Sequence, residues 1–538
     1  MHFRVEMLVR MIACVSAVAG CGPIAMGTGD AGDAGVAGDV HVPSASVPNI
    51  LEPRCAAADQ APIRTGMTTP SCTHVGPDLA PATAEWPAVM NPAMPVLYVR
   101  AGATGGDGSM AMPFGDIPTA LAATPAAGTI VMARGEFMLN GPIALGRNVA
   151  LVGAGPVMGT TLTITGTTAG LSIAAAAMVT VRGIALRYAG AAGGGVAIDL
   201  AMGATATLAQ VAITGGDQGI RAVGGTLNTD GVSAQGASTR GIALTAGATG
   251  MLRNTVVRDG GGILVDASSI DFTMGFVTRT HGGMEIRNGR SGVTDRMSRV
   301  SLQCNERAGL TIDGAVTFEG SLLEVSGNTA VAGAGGDGLR VSGGARVLLD
   351  GMISSDADRA RGSEFIANAR AGILVAGANT AFEIRGAHVS GNAVTGMFVQ
   401  DRASASLVGY STFRSNTGAG LVATSGASIV SLQCNEFDGT RAGNVTTSAG
   451  TTRIGDAFAA ADANGSTRVS GTTFTRNDGF ALVFHGSMAT LTGNTGTCNM
   501  WGVGSFGSMV SVDATNSIDA NTPLPTSAPP HVTGMLMP

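Results

Sequence analysis

The chain has 538 residues, of which 82 are Gly and 21 Pro, with 45% hydrophobic, 13% charged and 4% aromatic residues. The 31 basic residues, all arginine, face 37 acidic ones, for a formal net charge of −6. An ordinary apolar share excludes a polyelectrolyte-like disordered chain. The absence of a glycine at every third position excludes a collagen triple helix, and the acidic balance argues against nucleic acid as a partner.

Residues 1–20 read as an export leader. Arg4 and Arg10 make a basic start, and Met11–Ala19 is apolar but too short to span a bilayer. Val18-Ala19-Gly20-Cys21 resembles the lipobox of bacterial lipoproteins, with Gly22 following. The resemblance implies that Cys21 is lipidated and becomes the mature N-terminus. The protein is then expected on the outer membrane or cell surface of a Gram-negative bacterium, with the membrane as a partner through that anchor. Residues 21–92 are rich in Gly, Ala, Asp, Pro and Ser without sustained periodicity, the composition of a flexible tether. Cys55 and Cys72 lie in it, and an exported chain permits them to pair as a disulfide.

From residue 93 to 515 the chain is a repeat. A glycine followed by an apolar residue and period-two alternation recurs at Gly170, Gly195, Gly219, Gly241, Gly262, Gly283, Gly309, Gly338, Gly372, Gly396, Gly420 and Gly479. Most of these starts are 21 to 34 residues apart. Period two means a strand with one face buried. Several short strands per repeat describe a coil of a parallel β-helix, because propeller blades need about 40–50 residues. The inward column reads Ile220/Ala222, Ile242/Leu244, Ile263/Val265, Met284/Ile286, Leu310/Ile312, Leu339/Val341, Ile373/Val375, Met397/Val399 and Leu421/Ala423. Small and aliphatic residues suit such a core, and bulky rings are expected to be excluded from it. Asn305, Asn368, Asn392 and Asn416 each stand four residues before a glycine start. An asparagine ladder between coils is expected there, as a structural device. Residues 516–538 form a C-terminal tail.

The repeat resembles the right-handed parallel β-helix of the pectate-lyase-like superfamily. Leu97-Tyr98-Val99-Arg100, then Gly105-Gly106-Asp107-Gly108, a short helix at Ile117–Ala123, and Gly128-Thr129-Ile130-Val131 before Gly135-Glu136-Phe137 resemble a DUF1565-type N-terminal module. That module is placed at residues 93–160. The resemblance implies an all-β, right-handed, single-stranded parallel β-helix with a short capping helix. It leaves function open, since many activities sit on this scaffold.

Candidate chemistry lies on the outward columns. Asp266, Arg287 and Asp313 are expected to align in three successive coils, with Glu285 beside them. The two aspartates would stand about 9–10 Å apart across two coil steps. Carboxylates about 6.5–9.5 Å apart suit an inverting glycosidase; an Asp–Arg–Asp ion ladder is the simpler reading of the same residues. Asn228-Thr229-Asp230-Gly231 resembles a motif of polygalacturonase-type hydrolases, and His281-Gly282 a second, which implies a catalytic role for Asp230, Asp259 and His281. The chain departs from that pattern: it has no paired Asp-Asp, Thr280 stands before His281, and there is no lysine. No cofactor is expected. A Ca²⁺ site would need 6–8 oxygen ligands, and no three acids meet on one face. A further outward column, Leu374, Phe398 and Val422, is apolar and implies either a sugar-stacking or partner surface or cover by a loop or tail. The expected function is a surface-anchored, non-enzymatic module that binds glycan or a protein partner; the alternative is a polysaccharide hydrolase or lyase.

Overall fold

In the computed structural model, the described residues are 55, 60–63, 71–89, 92–125, 127–166, 169–189, 195–331, 334–351, 362–520 and 531–536. The leader and Cys21 lie outside them. The chain divides into two compact units, an N-terminal one made of residues 52–65 with 70–324 and a C-terminal one from Val325 onward.

The N-terminal unit is a stack of parallel coils. Each coil contributes a short front strand. Val196–Leu200, Gln218–Val223, Arg240–Thr245, Ile263–Asp266, Met284–Arg287 and Ala308–Asp313 pair in that order, all parallel. Each coil also contributes a long strand, such as Thr205–Thr214, Thr226–Gln235, Thr249–Gly260 and Ser269–Thr280, again parallel and in register. The long strands bend at a stacked column of residues with positive φ, Gln210 (54°), Gly231 (69°), Asn254 (48°), Met274 (54°) and Arg299 (56°), and two of them turn again near their ends, at Asp259 (56°) and Arg279 (51°). The first corner folds one strand into two walls, so three β segments enclose the core of each coil. A non-glycine residue in this region costs about 1 kcal/mol, and packing on both sides of every corner offsets it.

The expected inward column is inside. From Ile220 to Leu421, its isoleucines, leucines, valines and methionines are 0% exposed. The glycine before each front strand is fixed by coil stacking. A Cβ on Gly262 would lie 1.7 Å from the carbonyl oxygen of Gly283, and one on Gly283 would lie 2.2 Å from that of Gly309. At the start of the unit the helix Ile117–Ala123 forms as expected. Asp116 caps it by accepting the Thr119 N–H at 2.7 Å, and Ile117 and Ala120 are its buried residues.

Two expectations are corrected here. Part of the stretch read as tether is docked on the unit. Gln60–Ile63 and Ser71–His74 form an antiparallel hairpin, and Cys55 and Cys72 are joined by a disulfide. Ala61, Ile63 and Val75 pack on Val256 and Phe276, and Gly76 N–H donates to Asn254 Oδ1 at 2.9 Å. The reason is an outward column that turns apolar at Val256 and Phe276, in successive coils, and needs cover. The second correction concerns rings. Phe272, Phe318, Phe365, Phe413, Phe437, Phe458, Phe474, Phe480 and Phe484 are fully buried. Within the C-terminal unit, Phe413, Phe437 and Phe474 stack at 4.6 and 5.4 Å in successive coils. In-register stacking puts like rings face to face, so a flat side chain fits where a compact one was expected.

The C-terminal unit repeats the plan with front strands Ala371–Ala376, Thr395–Gln400, Ala419–Thr424, Asp456–Ala461, Phe480–His485 and Trp501–Phe506, all parallel. The asparagine ladder runs through it. Asn328 Nδ2 donates to Asn368 Oδ1, Asn368 to Asn392 and Asn392 to Asn416, at 2.8, 3.0 and 2.9 Å. In the N-terminal unit, Asn305 Oδ1 accepts from the backbone and hydroxyl of Thr280. The apolar column Leu374, Phe398 and Val422 is covered from outside by Val445 and Ile454 of the hairpin Gly443–Ile454, and by Val532 and Leu536 of the tail.

Candidate functional site

The outer face of the N-terminal unit's front sheet carries a cluster of ion-paired side chains. Alternation along each front strand turns Ile263, Val265, Met284 and Ile286 inward and leaves their neighbours outward. The register then aligns Thr245, Asp266, Arg287 and Asp313 in one column, and Ala243, Leu264, Glu285 and Thr311 in the next. The expected alignment of Asp266, Arg287 and Asp313 is therefore present, with Glu285 beside it.

Arginine ties these carboxylates together. Arg287 donates from Nε and Nη2 to Asp266 Oδ2 at 3.0 and 2.9 Å, and from Nη1 to Glu285 Oε1 at 3.3 Å. Arg240 reaches across to the other Glu285 oxygen at 2.9 Å. Asn288 Nδ2 donates to Asp266 Oδ1 at 2.8 Å. The Asn288 amide, and after it the Arg287 guanidinium, hold the Asp266 carboxyl below its ordinary range against the opposing effect of burial. Farther along the second column, Asp199 and Arg221 form a two-pronged pair at 2.8 and 2.7 Å. Sequence reading missed Asp199, Arg221, Arg240 and Asn288. For the first pair the signal was available, since both are fifth or third members of the same strand pattern. Arg240 precedes its glycine and reaches two coils, which no single-strand pattern encodes.

Asp230, Asp259 and His281 are not brought together on one site. Asp230 is exposed on a long strand and lies in register with Arg253, six residues before Asp259 on the next strand. Asp259, at a positive-φ corner, accepts from Arg279 Nε at 2.6 Å and Gln235 Nε2 at 3.1 Å. His281 Nδ1 contacts Glu306 Oε2 at 2.8 Å, and its ring is largely exposed.

General-acid chemistry needs a carboxyl that stays protonated near neutral pH. Among the described residues, burial pushes up the carboxyls of Asp295, to about 6, and Asp456, to about 7. Both are inside: Asp295 accepts the Ile270 N–H and Asp456 the Phe480 N–H. On the outer face, Asp266 is shifted the other way. No group of three or more His, Cys, Asp or Glu residues placed to hold a metal ion occurs among the described residues. A separate open cleft of about 540 Å³ lies at the start of the unit, between Ala101–Gly102, Asp116–Pro118 and Glu136–Ile143.

The model for a right-handed β-helix region matches residues 286–496. A comparison with curated protein sequences found no match. Among solved structures, the chain is similar to the catalytic domain of a GH87 α-1,3-glucanase at 13% identity, covering 80% of this chain and 71% of that one with a TM-score of 0.33. It is similar to the catalytic unit of a thermostable GH87 α-1,3-glucanase from Streptomyces thermodiastaticus at 14% identity, covering 82% and 72% with a TM-score of 0.29. A pectate lyase follows at 11% identity, covering 58% and 75% with a TM-score of 0.30. Likeness at this level concerns the fold alone.

Proposed function

We propose that this right-handed parallel β-helix is a lipid-anchored surface protein whose charged front face, from Asp199 to Asp313, binds an extended polysaccharide without cleaving it. The observation that carries the reading is the pairing on that face. Asp199, Asp266 and Glu285 each accept hydrogen bonds from an arginine. Asp266 is held ionised, so it cannot give a proton to a leaving oxygen. The same side chains remain partly open to solvent, between 24% and 42% exposed for Asp199, Arg221, Asp266, Glu285 and Arg287. Their remaining lone pairs and N–H groups repeat at the coil spacing of about 4.8 Å. Along one column Asp266, Arg287 and Asp313 present an acceptor, a donor and an acceptor in successive coils, which suits the hydroxyls of a chain molecule lying along the stack.

Affinity electrophoresis against a panel of soluble acidic and neutral polysaccharides tests this, with reducing-end and unsaturated-product assays on the same samples. Retardation by at least one polysaccharide is expected, weakened at least about tenfold in Arg287→Gln/Glu285→Gln and without product release. Product release that is lost in Asp266→Asn would replace this reading with a hydrolase or lyase. Retardation by none of the panel would end it. The anchor has its own test: labelled palmitate should enter the parent chain and not Cys21→Ser, and persistent labelling would refute lipidation at that residue.

A further inference from the structure

The corresponding face of the C-terminal unit has the opposite chemistry. Leu374, Phe398 and Val422 point outward in successive coils, in register, yet each is at most 1% exposed. Residues 531–536 lie over this strip, with a bend at Gly534 (φ 78°). Val532 and Leu536 insert at its two ends. Leu536 N–H donates to Gln400 Oε1 at 2.6 Å, and Gln400 Nε2 donates back to the Leu536 carbonyl at 3.1 Å. Met535 exchanges a second pair with Ser448, at 3.1 and 2.9 Å. Thr447 and Ser425 hydroxyls donate to the carbonyls of Thr533 and Gly534. At the segment's start, the His531 ring stacks on His485 with centroids 3.9 Å apart and planes 16° apart.

We propose that residues 531–536 are a releasable strap over an apolar groove, and that acid opens the groove by protonating His485, the ring on which the strap's first residue stacks. Two anchoring side chains and a few hydrogen bonds make a local contact, one that opens without unfolding the coils beneath. The histidine stack makes that opening depend on pH. His485 is faced by His531 from the strap, by Phe506 stacked at 5.0 Å from the next coil, and by Asp462 from the turn of the preceding coil. Burial first, and the neighbouring His531 second, bring the His485 imidazole down to about 4, with Asp462 acting in the opposite direction. Once the strap lifts, the ring is wet and returns toward its ordinary value of about 6.5. The released form then binds a proton through the window between these values and the strapped form does not, so release becomes more favourable as pH falls. Relative to about pH 7, the opening constant at about pH 4.5 rises up to about 60-fold.

Hydrogen exchange of the full chain, read by mass spectrometry and normalised to the intrinsic rate at each pH, tests the proposal. Between about pH 7 and about pH 4.5, residues 533–536 should lose about 10- to 60-fold in protection, while the front-strand amides of Leu482–Phe484 keep theirs. His485→Phe, and His485→Gln as a second neutral variant should the first fail to fold, should hold the strap at both pH values. Undiminished protection in the parent at about pH 4.5, or an equal loss in the neutral variants, would overturn it.

Discussion

Asp456→Asn is the sharpest test of how this fold handles a buried charge. Asp456 opens the front strand Asp456–Ala461 and is 6% exposed. Its Oδ1 accepts the Phe480 N–H at 2.8 Å, and a Cβ on Gly479 would lie 2.3 Å from that same oxygen. Burial raises its carboxyl from 3.8 to about 7, and the Phe480 hydrogen bond offsets only part of that. A raised acid binds its proton more tightly folded than unfolded. Its stabilising contribution is therefore present below the unfolded value and is lost as pH climbs through the folded one. About three pKa units correspond to a ceiling of about 4 kcal/mol, fully expressed above pH 7. Asparagine keeps the acceptor and the volume and has no proton to lose. The variant should match the parent within about 1 kcal/mol at about pH 4 and exceed it by about 2–4 kcal/mol at about pH 8.5. Guanidinium unfolding read through Trp501, which packs 4.9 Å from Phe480, measures both, in a Trp86→Phe background to silence the other tryptophan. A difference that does not change with pH, or a variant weaker than the parent at about pH 8.5, would refute the reasoning.

Other outcomes follow from the same physical accounting. Asn392 accepts from the Asn368 backbone and side chain and donates to Asn416 and to the Phe365 carbonyl, so Asn392→Ala should cost the C-terminal unit about 3 kcal/mol in chemical denaturation. Arg287→Gln should raise the Asp266 carboxyl toward its ordinary range in an NMR titration, yet change stability by less than about 1 kcal/mol, because that face is open to water. Replacing Cys55 and Cys72 by Ser removes a bridge across a sequence separation of 17. It should weaken docking of the paired strands Gln60–Ile63 and Ser71–His74 by up to about 3 kcal/mol, seen as faster hydrogen exchange in them and not in the coils.

The coil itself was legible because its pattern is local. Met284 and Ile286 alternate with Glu285 and Arg287 inside one strand, so period two alone assigns inside and outside. The Asn368–Asn392–Asn416 ladder was legible because coil stacking repeats a turn residue at a constant interval. What sequence hid is whatever depends on two distant segments meeting. The hairpin that covers Val256 and Phe276 is brought there from Ala61, Ile63 and Val75, within a stretch whose composition is that of a tether. The phenylalanine stack Phe413–Phe437–Phe474 violates the expected preference for slender residues because neighbouring coils supply matching rings. On the charged face, the Asp266–Arg287 pair was readable from the alternation. Arg240 was not, since its guanidinium travels two coils to reach Glu285.

The ladder's spacing also bears on how such a chain can change length over generations. Asn368 meets Asn392, and Asn392 meets Asn416, each across 24 residues, and the strands on either side keep the same register. Position 368 and position 392 are thus interchangeable addresses in the stack. A crossover between them would delete or double one whole coil and rejoin every strand, turn and amide bond to an equivalent partner. A shift of any other size would throw each strand's inward residues out of step. In this architecture, an unequal exchange of genetic material is a change of length in quanta of one turn.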